Sequence, residues 1–370
     1  MGFQQFLGNE STVERLRESV QHQRIPQAVI LAGPRGAGKY TLALMFARLI
    51  NCLNPIESDG PSGKLPDYCG VCKNCERIGE AADLEARIAE ALSARDDLRE
   101  TDKRETRILI QPHPDVLIVP PDPPQNLIKI GQVRQVIHNA YYRQPVEAKR
   151  SIFLFTSSAF MKEAANSLLK VLEEPPPNCT LILLSENPAE MLPTIRSRAM
   201  LFRLTAVPVE TLEQLLATRR PELKGPRRSL VARMAHGAVG RALSFDVDAY
   251  LASRNDALIV LRNALRDPDF STLFRATETY KGGADGQEKT LNLLRAANAL
   301  LEDMLMLVAA TPQLIRNQDI AQELNQLASG VNLDWIDHAA RALADVEKGM
   351  RRNLLRSLSL DAMAVSLESA

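Results

Sequence analysis

The sequence has no surplus of either charge: Lys+Arg and Asp+Glu both number 45, so the formal net charge is zero. That balance argues against a whole-chain electrostatic grip on nucleic acid and leaves only a local basic face to consider. Aromatic residues are scarce, at 5% with a single tryptophan. A zinc-dependent DNA-binding module outside any larger machine would call for a basic stripe with interleaved aromatics, and neither is present. No run of about eighteen apolar residues occurs, so no membrane-spanning helix and no membrane partner are expected. The opening MGFQQFLGNESTVERL lacks the basic start and apolar core of a secretory signal, which sets the expectation of a cytoplasmic protein. Cysteines number only five. In a reducing compartment, thiols that cluster point to a metal rather than to disulfides.

What is present is the profile of a soluble globular chain long enough for roughly two or three domains. AVIL, after Pro26, reads as a short buried strand, followed by GPRGAGKYT and the helically spaced LALMFARLINCL. DVLIVPP, IFLF and CTLILLS are further apolar strands, separated by the helix-like IGQVRQVIHNAYY and by KEAANSLLKVLEE, which stops at Pro175, Pro176 and Pro177. Continuous apolar strands alternating with helices predict a parallel sheet covered on both faces. Beyond about Thr205 the pattern becomes helical throughout, with a division near Ser244–Ser253. The stretch Glu80–Arg107 is highly charged, with Leu84, Ile88 and Leu92 four apart, and reads as an inserted, solvated helix and loop.

Gly33, Gly36, Gly38 and Lys39 fit the phosphate-binding loop GxxxxGK, placed between a strand and a helix as its mechanism requires. Its backbone N–H groups and the helix N-terminus cradle phosphates, and the lysine reaches the terminal ones. The next position should offer a hydroxyl to Mg²⁺, yet it is Tyr40; Thr41 is one residue late, about 100° around the helix. After IFLF come Thr156 and Ser157, where an ATPase needs acids to hold the metal and activate water. Loss of a general base alone typically costs ~10²–10⁴ in rate. With both defects the sequence predicts no intrinsic hydrolysis, and leaves open whether ATP binds.

Cys69, Cys72 and Cys75 are spaced CxxCxxC, with Cys52 seventeen positions before Cys69. Four thiolates on tight turns suit tetrahedral structural Zn²⁺, with Cys52 the member that stands apart from the CxxCxxC run. Cys179, at a strand start, reads as simply buried. In TIRSR, Ser197 and Arg198 sit in a short turn after Pro193. Two arginines there read equally well as surface charge or as a guanidinium offered to a neighbour's phosphates.

Taken together, FLGNESTVERLRESV, HQRIPQAVILAGPRGAGKYTLA, CGVCKNC, HPDVLIVPP, IKIGQVRQVI, KEAANSLLKVLEEPP and LPTIRSR resemble the bacterial clamp-loader branch of the AAA+ proteins, across essentially the whole first half. HGAVGRAL resembles that family's lid motif. The resemblance implies an α/β N-terminal AAA+ domain with a P-loop NTPase-like parallel sheet, over 1–204. An inserted zinc module at about 52–78 and the charged insertion at about 80–107 fall within it. An all-α lid over 205–248 and an all-α C-terminal collar over 249–370 would follow. It implies a hetero-pentameric ring with gamma/tau-type and delta subunits, acting on a sliding clamp and primed DNA. Within that ring Arg198, after Ser197, would be an arginine finger given in trans to a neighbour's ATP. Departures are Ala199 where the family has cysteine, Tyr40, and the Thr156–Ser157 pair; Arg241 lies near the second sensor arginine in a shifted register. A gamma/tau-type motor is the competing family member, and it should carry acids after IFLF and Ser or Thr after Lys39.

Overall fold

A computed structural model describes residues 2–61, 63–265, 284–350 and 356–368. Parts of the expected 249–370 domain therefore lie outside the described residues. The chain divides into two compact units, Met1–Pro208 with His236–Arg241, and Val209–Ala235 with Ala242–Ala370.

In the first unit, α1 (Glu10–Gln21) leads to β1 (Ala28–Ala32) and α2 (Lys39–Asn51). A hairpin the sequence did not announce, β2 (Ile56–Gly60) and β3 (Gly63–Asp67), precedes α3 (Lys73–Gly79). The charged insertion forms α4 (Leu84–Asp96) and α5 (Glu100–Glu105). Then follow β4 (Ile110–His113), β5 (Val116–Val119), α6 (Ile130–Tyr142), β6 (Ser151–Phe155), α7 (Lys162–Glu173), β7 (Cys179–Ser185), α8 (Pro193–Arg196) and β8 (Met200–Arg203).

The six-stranded sheet runs β4-β5-β6-β7-β1-β8. It is parallel from β5 to β8, as the sequence leads one to expect, but β4 pairs antiparallel with β5. The sheet is therefore mixed. IQPH, with its proline and histidine, carried no apolar run to mark it as a strand, and a four-residue edge strand needs none.

Strand alternation separates two cores. Val29, Leu31, Ile152, Leu154, Ile182 and Leu184 face α2 and the cysteine-bearing segment. Ile30, Leu117, Phe153, Phe155, Leu181 and Leu183 face α6 and α7. With both faces covered, these strands need no polar alternation, which is why they read as unbroken apolar runs.

The insertion is less solvated than its composition suggests. No residue of α4 is buried, yet Leu84 and Ile88 pack against the first core. Near the helix end, Arg95 donates to the fully buried Asp122 at 2.7 Å, and Lys129 lies 3.4 Å from the same carboxylate. His113 and Asn74 tie the cysteine segment to the sheet. The Asp115 N–H donates to His113 Nδ1, so Nε2 carries the proton and donates to Asn74 Oδ1 at 3.1 Å. Asn74 in turn donates to the carbonyls of Asn51 and Glu147.

The stretch His236–Arg241 groups with the first unit because Val207 N–H donates to Gly237 O and Gly240 N–H to Gly36 O. The described elements of the second unit are helical, among them Val209–Arg219, Pro226–Met234, Val247–Leu265, Ala284–Val308 and Leu333–Met350. Their shared core includes Leu258, Leu261, Leu293, Leu300, Trp335 and Leu343. A buried polar knot holds Tyr250, Arg254, Asp303, Asn317 and Asp319. Arg254 meets Asp319 with both terminal nitrogens, at 2.8 and 2.7 Å, and also donates to Asn317 Oδ1. Asp303 accepts N–H bonds from Arg316 and Asn317. Removing one partner leaves the other charge poorly compensated, so Arg254→Ala should cost this unit about 3 kcal/mol. The chain's one tryptophan, Trp335, sits in that unit's core and reports its unfolding by fluorescence in urea. An unchanged midpoint would remove the knot from the stability of this unit.

Candidate functional site

At the C-terminal end of β1 the loop Gly33–Lys39 turns into α2, as a phosphate cradle requires. Gly36 and Gly38 have φ of +81° and +88°, the left-handed region that favours glycine. Both are also approached closely. A Cβ on Gly36 would come within 2.9 Å of Arg241, and one on Gly38 within 3.0 Å of the Phe6 ring. Lys39 turns back on its own loop, donating to Gly33 O at 2.6 Å and Pro34 O at 2.9 Å. Burial lowers the pKa of its ammonium, opposed by the carboxylate of Glu186.

The Tyr40 hydroxyl donates to Ala81 O at 2.6 Å, across to the segment that follows the cysteines. Burial, with a smaller contribution from Asp83, raises its pKa. A neutral phenol engaged in this way offers Mg²⁺ no ligand. Thr41 is exposed. At the end of β6, Thr156 donates its backbone N–H to Val119 O, and Ser157 Oγ accepts from Ala159 N–H. Neither side chain can carry the charge that a metal or an attacking water demands.

The thiols of Cys52, Cys69, Cys72 and Cys75 come together, with all four sulfurs within 4.8 Å of one another. Cys52 Sγ lies 3.5 Å from Cys69 Sγ and 4.0 Å from Cys72 Sγ. Tetrahedral zinc with Zn–S bonds of about 2.3 Å places its sulfurs ~3.8 Å apart, so the spacing fits. The N–H groups of Cys69 and Cys72 donate to the sulfurs of Cys52 and Cys69, the outer support that a thiolate centre needs. Burial raises the Cys72 thiol, but hydrogen bonds from Leu53, Cys75 and Cys69 outweigh it and bring it to about 6. Burial raises Cys52 and Cys75. The group can hold a metal such as zinc, which would supply a structural cross-link. Cys179 is buried away from it, at the start of β7, as its sequence position suggests.

Arg198 follows α8. Its NH1 donates to Thr194 O at 3.0 Å and to Ser197 Oγ at 3.4 Å, and its NH2 lies 3.0 Å from Glu173 Oε1. None of these contacts is with the loop Gly33–Lys39.

Residues 8–208, which span all of these positions, match the family described as DNA polymerase III, delta subunit. The chain belongs to the DNA polymerase III delta-subunit family. Its similarity to individual proteins is more modest. It is 28% identical over 269 residues to DNA polymerase III subunit gamma/tau of Mycobacterium tuberculosis, covering 71% of this chain and 39% of that protein. It is 26% identical over 345 residues to subunit tau of Escherichia coli, covering 87% and 46%. It is 28% identical over 206 residues to subunit delta' of Pseudomonas aeruginosa, covering 51% of each. The chain thus spans about half or less of the length of these relatives. Among solved structures, a gamma-subunit-related protein from Thermotoga maritima covers 97% of this chain at 17% identity and a TM-score of 0.43.

Three residues of this delta-family chain were not singled out in the sequence and enter only with the fold. Glu186, just past β7, acts on Lys39 from the adjacent strand rather than from β6. Glu173 reaches Arg198 across a helix end, and Arg95 fixes the insertion through Asp122. Each is an ordinary charge with no local pattern to mark it. No described helix is long and apolar enough to cross a membrane.

Proposed function

We propose that this chain is a delta prime-type subunit of the DNA polymerase III clamp loader, one that does not hydrolyse ATP itself. It works inside a hetero-pentameric ring with gamma/tau-type and delta subunits, which loads a sliding clamp onto primed DNA. In this reading Arg198 is the arginine finger, given in trans to a neighbouring subunit's ATP, and Ser197 shapes its turn. Zn²⁺ on Cys52, Cys69, Cys72 and Cys75 is structural. The segments that follow the sheet supply a lid over 205–248 and a collar over 249–370 for assembly.

The observation that carries the reading is the state of the chain's own phosphate site. Tyr40 stands at the metal-ligand position with its hydroxyl on Ala81 O, and β6 is followed by Thr156 and Ser157. Lys39 is spent on its own loop carbonyls. A member of this family with a cation to offer and no chemistry of its own serves best through an interface.

A second reading, a gamma/tau-type motor, is favoured by one finding: relatives of that name align over more of the chain than the delta' relative does. The two readings part on turnover by the isolated protein. With Mg²⁺ and ATP, the purified chain should release phosphate at the no-enzyme background. Steady hydrolysis at about 1 s⁻¹ or faster, within the ordinary enzyme range, would establish the motor instead.

A further inference from the structure

We infer that Glu173 is a positioning residue for Arg198, fixing the guanidinium for the neighbouring subunit's nucleotide; this rests on the finger role proposed above. Glu173 is the last residue of α7, in the turn before the proline stop. A helix C-terminus carries partial negative charge from its unpaired carbonyls, so a carboxylate there is unfavourable by itself. Lys170 O accepts the backbone N–H of Glu174, and the Tyr141 hydroxyl donates to Glu174 O at 2.8 Å. The carboxylate is answered instead by Arg198 at 3.0 Å.

That ion pair contributes little to stability. The Arg198 and Glu173 side chains are 36% and 51% exposed, and pairs so open to water add almost nothing to folding. What the pair does is orient. NH1 of Arg198 is bound within its own turn, to Thr194 O and Ser197 Oγ, while NH2 is bound to a different element, α7. Two anchors on opposite terminal nitrogens define the plane of the guanidinium, whereas one would leave it free to swing about Thr194. Arginine has five N–H donors, so a single bond to Glu173 leaves a second hydrogen on NH2, and Nε–H, for a phosphate. A cation already in place reaches the transition state without first being ordered, and ordering of this kind is worth large factors in rate.

The test uses the complex reconstituted with a gamma/tau-type partner, comparing Glu173→Ala, Glu173→Gln, Arg198→Ala and the double variant. Glu173→Ala should lower kcat for ATP about tenfold with KM nearly unchanged, as expected for a misplaced catalytic group. Glu173→Gln keeps an acceptor oxygen and should recover most of that loss. Thermal unfolding of the variant chains should match wild type. The double variant should be no slower than Arg198→Ala alone, because Glu173 acts only through the arginine. If Arg198→Ala is slow while Glu173→Ala runs at the wild-type rate or faster, the positioning role is wrong and the finger stands. Losses that multiply in the double variant would also overturn it. If Arg198→Ala itself turns over normally, the finger reading has failed and this inference falls with it.

Discussion

Replacing Arg198 with alanine should slow hydrolysis at the neighbouring subunit's site by about 10³-fold or more, the range in which an arginine supplied in trans acts on phosphoryl transfer. In the proposed role the effect is electrostatic: the guanidinium would meet charge that develops on the transferring phosphoryl group. Assembly should survive. The Arg198 side chain is partly exposed and its bonds go to Thr194 O, Ser197 Oγ and Glu173. Losing them leaves no buried charge unpaired. Arg198→Lys should restore only part of the rate, since an ammonium keeps the charge but not the planar fork. Single-turnover hydrolysis by the reconstituted complex gives the rate, and gel filtration checks that the ring is intact. Normal turnover in an intact Arg198→Ala ring would leave the turn at 197–198 as surface charge.

The second large effect belongs to the metal. Cys75→Ser should reduce bound zinc from about one equivalent per chain to a tenth or less, because a tetrahedral site with three thiolates is poorly held at this geometry. Structural zinc contributes about 10–16 kcal/mol of apparent binding free energy in small zinc peptides, and in them that free energy is folding free energy. Here the cysteines are attached to a larger unit. Loss of metal should therefore unfold the segment from Cys52 to about Gly79 locally and leave the sheet standing. Cys52 caps the C-terminal end of α2, whose first residue is Lys39, and Tyr40 is bonded to Ala81 beyond the cysteines. Local unfolding should accordingly raise hydrogen exchange at 39–44 as well as at 69–82. Metal analysis and exchange measured on the same preparation test both claims. Full metal content in the Cys75→Ser protein would defeat the four-cysteine assignment.

Much of the first unit was legible in the sequence because its strands are covered on both faces. AVIL, VLIV, SIFLF and CTLILLS needed no alternation to be recognised. The hairpin Ile56–Asp67 was not legible. Half of the residues of its two strands are exposed, and IESDG and GKLPD carry no apolar run and, apart from Ile56, no strong strand former. Nor was the edge strand Ile110–His113, whose partner is fixed by β5 rather than by its own composition. The cysteine group was readable as a spacing, including Cys52, but its closure required the fold to bring α2's end beside the Cys69–Cys75 turn. The identities of Tyr40, Thr156 and Ser157 were visible residue by residue. Where Tyr40's hydroxyl goes was not, because Ala81 offers only a backbone carbonyl and no sequence pattern marks that. The same holds for Glu173: a helix-ending Glu-Glu-Pro reads as a stop, and only the turn carrying Arg198 gives its carboxylate a partner.

The most direct measurement is the structure of the assembled complex with a non-hydrolysable ATP analogue. The Arg198 guanidinium should lie within about 3 Å of an oxygen of the neighbouring subunit's nucleotide phosphates. No Mg²⁺ should be coordinated at this chain's own Gly33–Lys39 loop. An Arg198 remote from every nucleotide, or Mg²⁺–nucleotide poised at Tyr40, would contradict the proposal.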